Sequence, residues 1–153
     1  MGEFESKLAG MGVTLPEAPA PAANYVPFVQ SGNLLHVSGQ ISKDGDTLIT
    51  GKLGADMDVA GGQAAAKVCA IALLAQVKAA CGGDLDRLVR VVKLGGFVNS
   101  TPEFTDQPQV INGASDFIGE ALGDVGKHAR AAVSAASLPF GVAVEIDGVF
   151  EIR

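Results

Sequence analysis

The sequence has few of the residues that nucleic-acid-binding proteins use. It contains no Trp, one Tyr, and 11 Lys and Arg against 17 Asp and Glu, which gives a net charge of -6. Contacts to phosphates depend on clustered cations, and base stacking depends on aromatic rings. Because the basic residues are scattered, the composition argues against nucleic acid as a partner.

Cysteine is scarce as well. Cys69 and Cys81 are the two cysteines, and both fall in one predicted helix. Twelve helical residues separate their Cα atoms by about 18 Å, whereas a disulfide requires about 7 Å or less. Together with His36 and His128 they show no zinc-ligand spacing. We expect no disulfide and no metal, and structural roles for all four residues.

Charged residues make up only 18% of the chain and apolar residues 48%, against a usual charged share of about a quarter. We expect other subunits to cover part of the apolar surplus. The first residues, MGEFESKLAG, lack the basic and apolar regions of a signal peptide. No uninterrupted apolar run reaches the roughly 20 residues of a membrane span. We therefore expect a cytoplasmic protein without a membrane partner.

The length of 153 residues predicts one domain over residues 1–153. Residues 3–9 favour a short helix that ends at Gly10 and Gly12. Four of the seven prolines fall in residues 13–27 and indicate an extended arm. Residues 1–27 are thus predicted as an N-terminal helix and a proline-rich arm.

Hydrophobic periodicity predicts an alternation of strands and helices in the remainder. Asp58 is the expected N-cap of the first long helix, and Gly95 with Gly96 indicates a bulge or a close backbone approach in a strand. Strands are predicted at 33–42, 87–100, 128–136 and 142–152, and helices at 58–81 and 108–122. The fold class is α+β, a mixed, mainly antiparallel sheet with the two main helices on one face.

The segment HARAAVSAASLPFGVAVEID, residues 128–147, carries one arginine in an apolar run. On a strand, Arg130 shares its face with Ala132, Ser134 and Ala136, and these small side chains leave a concavity. A guanidinium stays charged and fits a carboxylate with two hydrogen bonds. Its partner is either a ligand carboxylate or a protein acid. Glu145 is the candidate acid, since a five-residue connection allows the two strands to be neighbours.

Known catalytic motifs such as GxSxG, HExxH and the phosphate-binding loops are absent from the sequence. Two further polar residues stand out among apolar neighbours. Asn112 on the second helix is either a surface residue or a site residue. Tyr25 at the end of the arm is either an anchor for the arm or a site residue.

Several segments together resemble the YjgF/RidA family, also called endoribonuclease L-PSP, from about Tyr25 to Ile152. These segments are NLLHVSGQI, FVNS with EFTDQPQVIN, and HARAAVSAASLPFGVAVEIDGVFEI. The longer N-terminus is similar to that of a bacterial subgroup. The resemblance implies a chorismate-mutase-like fold and a homotrimer, in which the sheets form a central barrel with clefts between subunits.

The resemblance also implies roles for individual residues. Arg130 would grip a substrate carboxylate, Glu145 would help to place the attacking water, and Tyr25 and Asn112 would line the cleft. Ala132 stands where the family often has Cys, and its backbone would contact the substrate. No cofactor is implied.

Three functions follow as hypotheses. The first is deamination of reactive 2-imino or 2-enamino acids by hydrolysis to 2-oxo acids and ammonia. The second is a binding module that holds small carboxylate metabolites without turnover. The third is an endoribonuclease, although the acidic composition and the lack of a His pair for acid–base catalysis argue against it.

The apolar surplus and the resemblance predict an oligomer. We expect static light scattering at micromolar concentration to give about three times the chain mass of 15.5 kDa, because apolar surface that a small chain cannot bury alone is buried between subunits. A monomer mass under these conditions would contradict the prediction.

Overall fold

The computed structural model describes residues 2–20 and 23–153, and in these the chain alternates between helices and strands. The order is α1 (Glu3–Gly10), β1 (Phe28–Ser31), β2 (Leu34–Ile41), β3 (Lys43–Asp44), β4 (Thr47–Leu48), α2 (Val59–Ala80), β5 (Leu88–Asn99), α3 (Gln107–Leu122), β6 (Ala129–Ala135) and β7 (Val144–Ile152). Every predicted helix and long strand is present. Strand β1, which forms a hairpin with β2, was not predicted.

Five strands form one sheet in the order β1-β2-β7-β5-β6, and β3 and β4 form a small separate hairpin. All neighbours in the large sheet are antiparallel except β5 and β6, which run parallel because α3 crosses between them. The mixed, mainly antiparallel sheet is confirmed. The strands of Arg130 and Glu145, which the short connection allowed to be neighbours, are not adjacent, since β5 lies between β6 and β7.

The core lies between the sheet and the two long helices, on one face of the sheet. Strand β7 shows this most clearly, because its residues alternate strictly between the core and the other face. Val144, Ile146 and Phe150 are fully buried against the helices. Glu145 and Asp147 lie on the opposite face, which we call the open face of the sheet.

Strand β2 departs from simple alternation. Leu35 and Val37 point into the core, and then the register with β7 shifts between Val37 and Gln40. A bulge of this kind reverses which residues face the core. Gln40 and Ser42 are therefore buried, although Ile41 is the residue that shares the parity of Leu35 and Val37 in the sequence.

The two glycines of β5 serve close packing. Register shifts occur earlier in the strand, between Leu88 and Arg90 and between Val91 and Lys93. A Cβ atom on Gly96 would lie 2.7 Å from the side chain of Ile111 on α3. A Cβ atom on Gly95 would overlap the carboxylate of Asp147 on β7. The expected close approach is confirmed, and the bulges lie elsewhere.

Helix α1 is held at both of its ends. The Asp86 carboxylate accepts the backbone N–H groups of Glu3 at 2.7 Å and Phe4 at 3.0 Å. At the other end Gly12 adopts a φ of 78°, and Val13 N–H donates to the Leu8 carbonyl at 2.9 Å. The chain thus turns out of the helix at the predicted glycine.

The arm that follows α1 has no helix or strand over residues 13–20 and 23–26. The Gln76 side chain on α2 donates to the Pro19 carbonyl at 2.7 Å, so this part of the arm lies along α2. Residues 21 and 22 of the predicted arm lie outside the described residues.

Helix α2 is the main core helix. Asp58 caps it as predicted, and its Oδ1 accepts the Gly61 N–H at 2.8 Å. Among the described residues, α2 alone is long and apolar enough to cross a membrane, yet 56% of its apolar window is buried inside the fold. Core helices of folded proteins are commonly this long and apolar, and the burial shows that the rest of the fold covers α2.

Gly113 marks the closest approach of α3 to α2, because a Cβ atom there would overlap the backbone carbonyl of Gln63. Gly113→Ala should lower the free energy of unfolding by about 1–3 kcal/mol through overpacking. Gly119→Ala on the same helix is the matched control, since its Cβ atom would meet nothing within 4 Å. It should leave the fold as stable or raise its stability by up to about 1 kcal/mol. Urea unfolding at equal protein concentrations measures both, and equal effects would contradict the prediction.

Candidate functional site

Arg130 lies near the start of β6, on the face of the sheet that carries the helices. Its Cα partner on β5 is Leu94, which is fully buried on the same face. The Nη1 atom donates to Asn112 Oδ1 at 2.8 Å and to Ser115 Oγ at 3.1 Å. The Nη2 atom donates to the Pro108 carbonyl at 3.2 Å. Three neutral oxygens of α3 therefore hold the guanidinium.

No carboxylate neutralises this cation among residues 2–20 and 23–153. The ion pairs in that part of the chain are Lys78–Glu5 and Lys127–Asp124. Three of the five guanidinium N–H groups are used by α3, and the Nε–H and one Nη2–H have no partner in the described residues. A salt bridge to Glu145 within one protomer, which the sequence left open, is therefore excluded. These two N–H groups remain available to a carboxylate.

Helix α3 supplies these contacts through its spacing. Asn112 and Ser115 are three residues apart, so both project from one side of the helix. Ile111 and Ala114 on the neighbouring side are fully buried and fix the helix against the core. The structure thus brings Asn112, a candidate site residue, into contact with Arg130.

Ser115 contacts both Arg130 and His128. Ser115 Oγ lies 2.8 Å from His128 Nε2, and His128 Nδ1 lies 2.6 Å from the Gly126 carbonyl. Sequence reasoning missed both residues as site residues. The available signal was positional, since Ser115 is three residues after Asn112 on the helix and His128 is two residues before Arg130.

A cavity of about 360 Å³ opens beside Arg130, lined by Ser115, Gly119, Gly126, Lys127, His128 and Arg130. The sequence had placed the concavity along Ala132, Ser134 and Ala136. Instead Ala132 packs on the core opposite Gly96 of β5. Ser134 Oγ contacts Ser100 Oγ and the Gln107 amide, each at 2.6 Å. The space beside Arg130 is thus lined in part by two glycines.

Glu145 lies on the open face of the sheet, where its Cα partners are Phe97 on β5 and Ile41 on β2. Its carboxylate rests against Gly39 in the β2 bulge, since a Cβ atom there would lie 2.6 Å from Oε2. Partial burial and then the nearby Asp147 carboxylate raise the pKa of Glu145. Neither acid forms an ion pair within the described ranges.

Tyr25 precedes β1 and is about half exposed, at 48%. Its segment is tied to the β2 bulge, because Ser38 Oγ donates to the Val26 carbonyl at 3.1 Å and Ser38 N–H donates to the Pro27 carbonyl at 2.9 Å. Gly39, the next residue, contacts Glu145. Tyr25 and Glu145 are therefore both associated with the bulge.

The five predicted site residues thus form two groups in one protomer. The first group, Arg130, Asn112 and Ala132, lies between β6 and α3. The second group, Tyr25 and Glu145, lies around the β2 bulge. Because Arg130 and Glu145 project from opposite faces of the sheet, a single protomer does not bring the two groups together.

The cysteines are not suited to nucleophilic chemistry. Both are buried and unpaired, and burial raises the pKa of the Cys69 thiol, which disfavours the thiolate. Within the described part of the chain, no three side chains of His, Cys, Asp or Glu converge as metal ligands would. The chemistry of the two groups therefore depends on a guanidinium, carboxylates and hydroxyls.

The comparison with known proteins agrees with this architecture. The family described as "YjgF/chorismate_mutase-like, putative endoribonuclease" matches residues 5–146. Protein TCP17 of Trypanosoma cruzi is 54% identical, over 99% of this chain and 96% of its own length.

Two solved structures are similar over nearly the whole chain. The protein Atu1372 from Agrobacterium tumefaciens, of unknown function, is 55% identical with a TM-score of 0.92, covering 98% of this chain and 92% of that one. A putative endoribonuclease from Shewanella oneidensis is 32% identical with a TM-score of 0.94, covering 99% and 100%. The matched segments include β6, β7 and the helix that holds Arg130, and the chain belongs to the YjgF/RidA family.

Proposed function

We propose that this protein hydrolyses reactive 2-imino and 2-enamino acids to 2-oxo acids and ammonia, in clefts between the subunits of a homotrimer. The observation that carries the proposal is the state of Arg130. Its charge is held only by neutral oxygens, and its Nε–H and one Nη2–H have no partner among the described residues. Two such donors match the two oxygens of a carboxylate.

The position of the two groups supports a site shared between subunits. Glu145 and Tyr25 can meet Arg130 only if a second protomer supplies one of the groups. The open face that carries Glu145 also exposes apolar side chains, among them Val29 at 55% and Val133 at 48%. Strand β6 is an edge strand with one unpaired side of backbone, which is a further surface for contact.

The proposed hydrolysis requires little from the protein beyond the positioning of the substrate and water. The substrate carboxylate would pair with Arg130 and place the imine carbon, which is already electrophilic, in the cleft. The Glu145 carboxylate would accept a proton from water as the oxygen attacks that carbon. The proton then passes to the nitrogen and leaves a carbinolamine. The hydroxyl proton of this carbinolamine moves to the nitrogen by way of the same carboxylate, the C–N bond breaks, and ammonia leaves as the C=O bond forms. Water is the only other reactant.

A related structure supports the ligand class. The structure of Escherichia coli TdcF with bound serine is 25% identical with a TM-score of 0.63, covering 90% of this chain and 94% of that one. Serine carries a carboxylate next to the carbon that bears nitrogen, as a 2-imino acid does. Arg130 of this chain is a cation suited to such a carboxylate.

The name endoribonuclease, given to relatives, finds less support in this chain. The net charge is -6, and Glu145, Asp147 and Glu151 lie on the open face of the sheet. These charges repel phosphates. A binding module without turnover would use the same guanidinium, so hydrolysis and binding have to be measured separately.

Arg130→Ala should lower kcat/KM for imine hydrolysis by one to two orders of magnitude, because charge-assisted hydrogen bonds contribute about 1.5–3 kcal/mol each. The imine is generated in the assay by a threonine dehydratase, and ammonia release is followed. Lys43→Ala, which removes one positive charge from the exposed β3 hairpin, should match the wild type.

Three outcomes would overturn the proposal. The first is equal acceleration by wild type and Arg130→Ala. The second is saturable binding of 2-oxobutyrate, lost in Arg130→Lys, without any hydrolysis, which would identify a binding module. The third is RNA cleavage in single turnover that Arg130→Ala abolishes, without any imine hydrolysis.

The raised pKa of Glu145 predicts a pH dependence. If the ionised carboxylate takes the proton of water, kcat falls as pH falls through the pKa of this group. Because that pKa is raised, the fall should begin above the range of an ordinary glutamate, near about 4.3. Glu145→Gln should abolish this limb and reduce kcat, whereas Glu151→Gln on the same face of β7 should keep it. A pH-rate profile of the wild type, Glu145→Gln and Glu151→Gln tests this prediction. An unchanged acid limb in Glu145→Gln would count against Glu145 as the proton acceptor.

A further inference from the structure

We propose that Ser115 and His128 are positioning residues that orient Arg130 for its ligand. The proposal rests on the proposed function of Arg130 and adds two residues to it. Neither residue reaches the Nε–Nη2 edge by the contacts described above. They act through the guanidinium at Nη1, whereas the expected carboxylate would pair with the free Nε–H and Nη2–H groups.

The direction of each hydrogen bond follows from chemistry. A backbone carbonyl only accepts, so the proton between Gly126 and His128 is on Nδ1, and His128 donates it at 2.6 Å. In neutral His128 the Nε2 atom then carries a lone pair, which accepts the Ser115 hydroxyl at 2.8 Å. The hydroxyl oxygen is left to accept Nη1–H of Arg130 at 3.1 Å.

All donors in this chain therefore point the same way, from Arg130 through Ser115 and His128 to the Gly126 carbonyl. Such chains strengthen each bond, because every donor is polarised by the next one. Removing the Ser115 hydroxyl breaks the chain in the middle. It also leaves Nη1 with Asn112 as its one partner among the described residues.

The cavity beside Arg130 explains why the arginine needs residues that orient it. The cavity of about 360 Å³ has Gly119 and Gly126 in its lining together with Arg130, so the space there is not filled by side chains. A long, flexible arginine with room beside it loses entropy when it is ordered by a ligand. The bonds to Asn112, Ser115 and Pro108 order it in advance, which lowers the cost of binding.

Two other charged groups lie near this network. Lys127 lines the cavity and pairs with Asp124 at 3.0 Å, and both side chains are largely exposed. These two charges offset each other at the rim of the cavity. The cation beside Ser115 is therefore Arg130 itself.

The test compares Ser115→Ala, Ser115→Thr and His128→Ala with the wild type in the full-length protein. Ser6→Ala, a serine on the exposed surface of α1, is the control for the same substitution in a helix. The first readout needs no ligand. It is the side-chain Nε–H resonance of Arg130 in ¹⁵N-labelled protein, assigned by its loss in Arg130→Lys.

We expect this resonance to broaden or exchange faster with water in Ser115→Ala and His128→Ala, and to recover in Ser115→Thr, which restores the hydroxyl. The second readout is the Kd of 2-oxobutyrate by calorimetry. It should rise about five- to tenfold in Ser115→Ala, as expected for one lost hydrogen bond. In the hydrolysis assay KM should rise while kcat changes little, because the carboxylate is held equally in ground and transition states.

The outcomes separate this inference from the proposed function. If the wild type neither binds 2-oxobutyrate nor hydrolyses imines, the proposed function fails, and the resonance still reports whether Ser115 orders Arg130. If the resonance and Kd of Ser115→Ala equal those of the wild type, the positioning role is overturned. Covalent labelling of Ser115 by an organophosphonate that reacts with serine hydrolases would also overturn it, since the pair would then be a nucleophile and its base.

Discussion

The site depends on one constraint, which is the need to hold the Arg130 cation without a carboxylate from the described residues of the same protomer. A buried charge without partners is costly, and here three neutral oxygens of α3 meet it. Neutral acceptors stabilise the guanidinium but leave its charge to act on a ligand. The crossover from β5 through α3 to β6 makes this possible, because it places the helix directly beside the parallel strand that carries the arginine.

Close packing brings α3 near enough for those contacts. Gly96 on β5 leaves room for Ile111, and Gly113 lets the helix touch the backbone of α2 at Gln63. Asn112 lies between these two contact points in the sequence. The glycines thus set the height and rotation of α3, and with them the position of the amide that holds Arg130. Stability and function are coupled at this helix, since a shift that relieved either contact would also move Asn112.

The two faces of the sheet divide the site residues. The helix face carries Arg130 with Asn112, and the open face carries Glu145, whose strand neighbours are half-exposed. A raised carboxyl pKa on a partly apolar surface is a typical feature of functional sites. Since the groups face opposite directions, each would be half of the proposed site, and the apolar side chains on the open face would give a second protomer a surface to cover.

Local patterns of the sequence determined the elements of this protein. Periodicity predicted both long helices and the long strands, Asp58 and Gly12 marked ends of helices, and a lone arginine among small residues indicated the site. Only the tertiary structure decided the strand order, because the pairing of β7 with β5 joins residues far apart in the chain. The same is true of the β2 bulge, which moved Gln40 inward, and of the contact between Ser115 and His128. The spacing of apolar residues within a segment indicates whether it forms a helix or a strand. Which strands become neighbours in the sheet is determined by the packing of the whole core.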